Sequence, residues 1–496
     1  MTSVVIDDWH ASAAALHPES RLFINGDWID SASGETFPTI APRNGTVISS
    51  IAAGSSVDVD RAVGAARRAF ETGPWRRMAP RERKHVLRRW AELVRENADE
   101  LGLLETLDVG KPISVSRAGD AMGVAVCLEW YAESADKVYG EIAPTGNDAL
   151  AMITREPLGV IGAVVPWNYP MVIATWKIAP ALISGNSIVI KPAEQSPLSI
   201  LRLAQLGQEA GLPDGVLNIV NGYGITAGQA LGRHLDVDKI AFTGSGPVGK
   251  LFQVYAGESN GKSVQIEAGG KSPHLVLDDA SDLKEIAETI ARGFCFNAGQ
   301  SCSAGTRLIV ASSIRDELME NLLEAVIKYQ AADPLDASTT MGPLIDDKQL
   351  DRVLGYINLA RAEGAEIVTG GNQVNLESGG YFVEPTVLEG LAPTSRVIKD
   401  EIFGPVLTVS TFDSVEEGVR IANDTSFGLA AAIWSGSLSA HKVANQLRAG
   451  TVWINTYAAV DVMTPFGGFG ASGHGRDKSL HAIDEYTGLK TTWLKL

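Results

Sequence analysis

Cysteine is nearly absent from this chain: 496 residues hold only Cys127, Cys295 and Cys302. Three thiols cannot build a disulfide framework, and their scarcity fits a reducing compartment, so the expected location is cytoplasmic. Histidine is sparse too, eight scattered residues with no HxxxH spacing, and no CxxC occurs. That leaves no pattern for a zinc site, and no metal is expected. No run of 18 apolar residues appears, and the early Asp7, Asp8 and His10 do not read as a secretory leader. Basic residues are outnumbered 42 to 59, for a formal charge of −17. Such a balance argues against nucleic acid or an anionic membrane as partner and favours solubility.

What is present is apolar substance: 45% hydrophobic residues, 20% charged, and a mean hydropathy of +0.05. That is the composition of a well-buried globular enzyme. The length exceeds one compact core and implies two to four domains.

Short β-like pieces at 21–24, 28–29 and 47–51, broken by Gly26, Gly34 and Gly45, predict hairpins. From Ser56, a candidate cap, the period turns helical, with Val59, Val63, Ala66 and Phe70 on one stripe. Segments 81–97, 98–107 and 115–137 continue as helices. Segments 138–142 and 150–155 flank Pro144-Thr145-Gly146 and predict a β-ribbon outside the main body; 489–496 reads as another strand. Lone strands are unstable, so these are expected to pair with each other and with another subunit.

From Gly159 to Glu267 strands and helices alternate, which predicts a parallel, doubly wound sheet. The apolar strand Ser187-Ile188-Val189-Ile190 fits a sheet covered on both faces. A second α/β run follows, with a helix at 282–294, strands at 307–310, 366–369, 387–388, 406–412, 430–434 and 450–455, and a late helix at 438–447.

Three stretches can hold chemistry. In Gln300-Ser301-Cys302-Ser303-Ala304-Gly305, small neighbours expose Cys302 to an incoming carbonyl carbon, whereas Cys295, between Phe294 and Phe296, reads as packing. Cys302 read locally is either a nucleophile or another buried small hydrophobe. Gly244-Ser245-Gly246-Pro247-Val248-Gly249 matches GxGxxG between a strand and a helix, the setting for a phosphate at a helix N-terminus. An acid past the end of a parallel strand binds a ribose. Glu194, in Lys191-Pro192-Ala193-Glu194, suits that place, and its charge disfavours a 2′-phosphate, hence NAD over NADP. Glu267 is then free to act as a base with a pKa raised by desolvation, or to pair with Lys271.

Together these residues resemble the aldehyde dehydrogenase superfamily. The motifs run in order: Val165-Pro166-Trp167-Asn168-Tyr169-Pro170, Lys191-Pro192-Ala193-Glu194, Phe242-Thr243-Gly244-Ser245, Ile266-Glu267-Ala268-Gly269-Gly270, Gln300-Ser301-Cys302, Glu401-Ile402-Phe403-Gly404-Pro405 and Pro465-Phe466-Gly467-Gly468. One departure is Ala268, where the family usually has Leu.

The resemblance implies an α/β fold with a Rossmann-like NAD-binding domain (1–137 and 158–267), a second α/β catalytic domain (268–470) and a β oligomerisation arm (138–157 and 483–496) of a homodimer or homotetramer. It implies Cys302 as nucleophile, Glu267 as general base and Asn168 in the oxyanion hole. For the cofactor, NAD with NADP also open, it implies Lys191 and Glu194 on the adenosine ribose, and Ser245 with Gly244 at the pyrophosphate. Glu401 falls on the nicotinamide ribose, with Phe403 and Trp167 beside the cofactor. Asn168 as a plain turn residue before Pro170, or Glu401 as a surface acid, is the bland alternative.

Within the superfamily the chain is similar to the γ-glutamyl-γ-aminobutyraldehyde dehydrogenase group and related ω-aminoaldehyde enzymes, through stretches such as Gly475-Arg476-Asp477-Lys478-Ser479-Leu480-His481-Ala482. The expected substrate is an ω-amino or γ-glutamylamino aldehyde. Tyr169, Trp176 and Phe296 are expected to accept its body, and Asp120 or Asp461 a distal ammonium. The alternatives are a broad-range aliphatic or aromatic aldehyde dehydrogenase, a coenzyme A-acylating enzyme, or an inactive homologue.

Overall fold

The computed structural model describes residues 8–438 and 440–496; Asp7 and Ser439, in the polar start and the expected 438–447 helix, lie outside the described residues. Two sheets organise the chain. The first runs, in spatial order, Asp27–Ile29, Leu22–Ile24, Leu217–Ile219, Ser187–Lys191, Val160–Val164, Lys239–Gly244, Ser263–Ala268 and Gly473–His474. Its five central strands are parallel, and the two ends are antiparallel additions. From Val160–Val164 the chain winds to one side through Ser187–Lys191, then returns to the other through Lys239–Gly244. Winding of this kind opens a crevice at the carboxyl ends of Val160–Val164 and Lys239–Gly244, where a doubly wound sheet binds its ligand.

The second sheet runs Glu366–Thr369, Thr386–Glu389, Val406–Phe412, Arg307–Ala311, Pro273–Val276, Ala430–Trp434 and Thr451–Ile454. All but the first pairing are parallel. One interior strand, Pro273–Val276, next to the central Arg307–Ala311, was not foreseen from the sequence. Four residues opening on proline read as a break, yet a first strand position tolerates the missing N–H. Thr36–Ile40, which contains Pro38 and pairs with Val47–Ala52, escaped for the same reason.

The ribbon expectation holds for the strands themselves. Glu141–Ala143 pairs with Ala149–Pro157, and Thr487–Lys495 lies antiparallel to the latter from Thr487↔Pro157 to Lys495↔Ala149. Residues 483–485 belong to the preceding helix His481–Glu485. The cap of Ser56–Glu71 is Ser55, not Ser56: Ser55 has the extended backbone a cap needs, and its N–H and hydroxyl both donate to Asp58 at 2.9 Å. Among the described residues no helix is long and apolar enough to cross a membrane, and no cluster of His, Cys, Asp or Glu could hold a metal ion.

Candidate active site

Cys302 sits where the two sheets face each other. Helix Leu283–Cys295 ends in a tight turn, after which Asn297, Ala298 and Gly299 take left-handed backbone, φ 50°, 51° and 71°. Three such residues in succession are sparsely populated and must be held by their surroundings. Gln300, fully buried, does part of this: its side-chain oxygen accepts the Ile345 N–H at 2.9 Å. Its carbonyl accepts from the amides of Asn168 (2.9 Å) and Asn297 (3.2 Å). Tyr457 donates its hydroxyl to the Ser303 carbonyl. A side chain at Gly270 would strike the Cys302 carbonyl, so the glycine lets the strand end pass beneath the loop.

The three cysteines separate as the sequence implied, with Cys127 and Cys295 buried and Cys302 partly open. Burial pushes the Cys302 thiol well up, and Glu267 and Glu401 add to this. A thiolate is therefore not standing ready; it needs a proton acceptor at the moment of attack. Glu267, at the end of strand Ser263–Ala268, is the adjacent carboxyl. It is 3% exposed, and one of its oxygens has no hydrogen-bond partner. Burial first, then Asp477, pushes it up to about 8, while Lys177 and the Cys302 thiol pull it back. Lys271 is not its partner: Nζ donates instead to the Val397 carbonyl at 2.9 Å, and burial lowers its pKa to about 7. Asn168 is buried; one N–H goes to Gln300, and its Oδ1 has no partner.

Beside these residues opens a cleft of about 950 Å³, bounded by Trp167, Asn168, Gly244, Ser245, Glu401 and Phe403 as well as Glu267 and Cys302. Ser245 occupies the N-cap position of helix Gly246–Gly257 without a side-chain cap bond, and Ser245, Gly246 and Pro247 line the cleft. Trp167 and Phe403 meet edge to face at 5.2 Å, and Phe403 has φ 63°, an outlier for a bulky residue. Glu401 accepts the Gly270 N–H at 3.0 Å; Gly269 leaves room for its carboxylate. Burial pushes Glu401 up to about 7, against the Gly270 N–H, Arg352 and Lys271.

Lys191 and Glu194 lie at the end of the neighbouring strand and do not border that cleft directly. Buried Lys191 donates to Glu194 at 3.0 Å, and the Glu194 side chain is 36% exposed. A wide cleft, an open helix N-terminus, the buried unpartnered Thr243 hydroxyl and two acids near the same sheet edge fit a dinucleotide.

The expected substrate residues divide. Tyr169 and Trp176 lie on helix Pro170–Ile183 or its cap, with Ile173, a cleft residue, between them. Trp176 packs against Phe466, ring centroids 5.6 Å apart, and Phe296 is 37% exposed. Asp120 does not offer a free charge. It is buried in an ion pair with Lys111, which also reaches Glu105 at 3.0 Å and lies 4.3 Å over the Tyr169 ring. Asp461 is exposed, and its carboxylate accepts the Met463 N–H at 2.8 Å.

Sequence reasoning gave no role to Lys177, Asp477 or Lys478. Lys177 pairs with Asp477 at 2.5 Å, both fully buried, and Asp477 also accepts from Gln265 at 2.9 Å. Lys177 was findable: it is the single charge in the apolar helix Pro170–Ile183.

Residues 28–492 match the model of the aldehyde dehydrogenase family. The chain is 48% identical over 489 residues to the NADP/NAD-dependent aldehyde dehydrogenase PuuC of Escherichia coli K12, covering 98% of each chain. It is 44% identical to the aminoacetaldehyde dehydrogenase of Pseudomonas aeruginosa, again over 98% of each. Its structure matches an indole-3-acetaldehyde dehydrogenase solved with NAD+ at a TM-score of 0.97 and 50% identity, covering 98% of this chain and 99% of that one. The γ-glutamyl-γ-aminobutyraldehyde dehydrogenase of Burkholderia cenocepacia J2315 matches with the same TM-score and coverage at 51% identity. Matched by the family model over most of its length and by these relatives over nearly all of it, the chain belongs to the aldehyde dehydrogenase family and is an oxidoreductase.

Proposed function

We propose that the protein oxidises an ω-amino or γ-glutamylamino aldehyde to its carboxylic acid with NAD, through covalent catalysis at Cys302. The observation that supports this most is that Cys302 and the buried carboxyl of Glu267 border the same dinucleotide-sized cleft. Glu267 takes the thiol proton as Cys302 Sγ adds to the aldehyde carbon. The oxygen of that adduct becomes negative and is met by the second N–H of Asn168 and the Cys302 backbone N–H. One such donor lowers the barrier by about 2.7–4 kcal/mol. The dinucleotide, when bound, supplies the hydride acceptor. Once a thioester stands on Cys302 and Glu267 has given up the thiol proton to solvent, Glu267 removes a proton from the water that attacks the thioester, and that proton can return to the Cys302 thiolate as the acid leaves.

Lys191 and Glu194 hold the adenosine ribose, Gly244 and Ser245 the pyrophosphate, and Glu401 the nicotinamide ribose, with Trp167 and Phe403 as walls. Exposed Glu194 tolerates NADP less well than NAD; PuuC, described as NADP/NAD-dependent, shows that both are used among relatives. Similarity to an aminoacetaldehyde dehydrogenase and to a γ-glutamyl-γ-aminobutyraldehyde dehydrogenase supports an amine-derived aldehyde. Leu489, Trp493 and Leu494, exposed on the outer ribbon, support pairing with further copies as a homodimer or homotetramer. NADH formation, followed at its absorbance over a panel of aldehydes with and without coenzyme A, tests the reading. Turnover of amine-derived aldehydes without coenzyme A is expected; acyl-coenzyme A as the sole product overturns it.

A further inference from the structure

Behind the Trp176–Phe466 contact lies a charge with no part in the chemistry above. Lys478 is 2% exposed, and its Nζ lies 5.3 Å from the Trp176 ring centroid and 5.2 Å from that of Phe466. Nζ donates to the Asp461 carbonyl at 3.1 Å. Lys478 and Ser479 both take left-handed backbone, φ 62° and 54°. Neither is glycine, so the fold holds them there against their preference. The paired strand positions Phe466 and Asp477, the Ser479 N–H to the Val462 carbonyl (2.7 Å) and the Tyr131 hydroxyl to the Ser479 carbonyl (3.1 Å) fix this turn. Strain maintained at such expense is concentrated at functional positions.

The charges around Lys478 do not cancel it. Asp477 is committed to Lys177 and Gln265, and Asp461 is exposed to water, which screens its carboxylate. Lys177 and Asp477 are paired with each other, and among the described residues no carboxylate forms an ion pair with Lys478. Burial lowers Lys478 to about 8, with Asp477 opposing, which leaves it charged at neutral pH. It lies within electrostatic reach of Cys302.

We propose that Lys478 is a specificity-determining residue, a fixed cation behind the Trp176–Phe466 wall that selects against aldehydes with a positive charge a few carbons from the carbonyl. An aromatic ring attracts a cation through its negative face. Here Lys478 already sits by both rings, so an incoming ammonium meets repulsion with that attraction partly spent. An uncharged chain, or an amine neutralised as an amide, meets only apolar wall. Of the two substrate types proposed above, the acylated amine is the better match. This inference rests on the proposed function in placing the aldehyde against Trp176.

The test compares kcat/KM for butanal, 3-aminopropanal and 3-acetamidopropanal. The unsubstituted enzyme should use 3-aminopropanal at least about tenfold less well than butanal, without a matching penalty for 3-acetamidopropanal. Lys478→Asn and Lys478→Gly, both suited to a left-handed backbone, should raise the 3-aminopropanal/butanal ratio by roughly tenfold. That is the scale on which unit charges about 10 Å apart interact at an effective dielectric near 20. Lys478→Arg should hold the ratio within about twofold. An equal ratio in the Lys, Asn and Gly enzymes, or a wild-type preference for 3-aminopropanal over butanal, overturns the inference while leaving aldehyde oxidation standing. No turnover of any aldehyde overturns the function and the inference together. Should neither neutral variant fold, the order of the three aldehydes in the unsubstituted enzyme decides.

Discussion

The proposed cofactor cleft and the proposed substrate wall are built by different means. The cleft is made of chain: strand ends, glycines and one helix N-terminus, with side chains added at Glu401, Phe403 and Trp167. The proposed wall is made of side chains from distant segments, with Trp176, Phe466 and Lys478 brought together only by the fold. Backbone sites are local and leave a readable spacing. Side-chain sites vary residue by residue, and that is where specificity can change without loss of the chemistry.

The sharpest way to separate the two regions is to remove the proposed nucleophile. Cys302→Ala should reduce turnover by on the order of 10⁴-fold or more while NAD still binds, as read by calorimetry. Substantial remaining turnover would break the covalent mechanism; lost NAD binding would show that cleft and cysteine loop are not separable.

Glu267→Gln should lower kcat by roughly 10²–10⁴-fold, with an acyl adduct on Cys302 visible by mass spectrometry after aldehyde and NAD. The pH dependence has a definite sign. A base is active when deprotonated, and Glu267 is raised to about 8, so turnover should climb as pH rises through that value. The Gln variant should lack that rise. A climb retained in the variant assigns the titration elsewhere.

A smaller effect is expected at the far end of the cleft. Glu194→Ala should raise the NADP/NAD ratio of kcat/KM by about tenfold, since a carboxylate facing a 2′-phosphate is removed. The Glu194 side chain is 36% exposed and held by Lys191, which limits the size. An unchanged ratio would detach Glu194 from the ribose.

The same division explains what was legible in the sequence. Gly244-Ser245-Gly246 and the loop around Cys302 could be recognised because each places its groups within a few residues. The alternating strands followed from apolar patterning, except where Pro38 and Pro273 disguised a strand as a break. Asp120 was misjudged because nothing local shows that Lys111, nine residues earlier, neutralises it in the interior. Lys478 drew no reading of its own beside Asp477; its burial depends on Tyr131, Val462 and Phe466, from other parts of the chain.

Asp461 offers the finest test of this contrast, because its carboxylate is exposed while its carbonyl receives Lys478. Its carboxylate is exposed and occupied by the Met463 N–H, so water and salt screen it. An exposed charge pair contributes about 0.2–1 kcal/mol. Asp461→Asn should therefore change the 3-aminopropanal/butanal ratio by less than about fivefold, and that change should vanish in high salt. The loop itself should persist, because Asn can still accept the Met463 N–H and the Asp461 carbonyl that receives Lys478 is backbone. A change larger than that of the neutral Lys478 variants would place charge selection at Asp461 and make the wall a passive apolar surface.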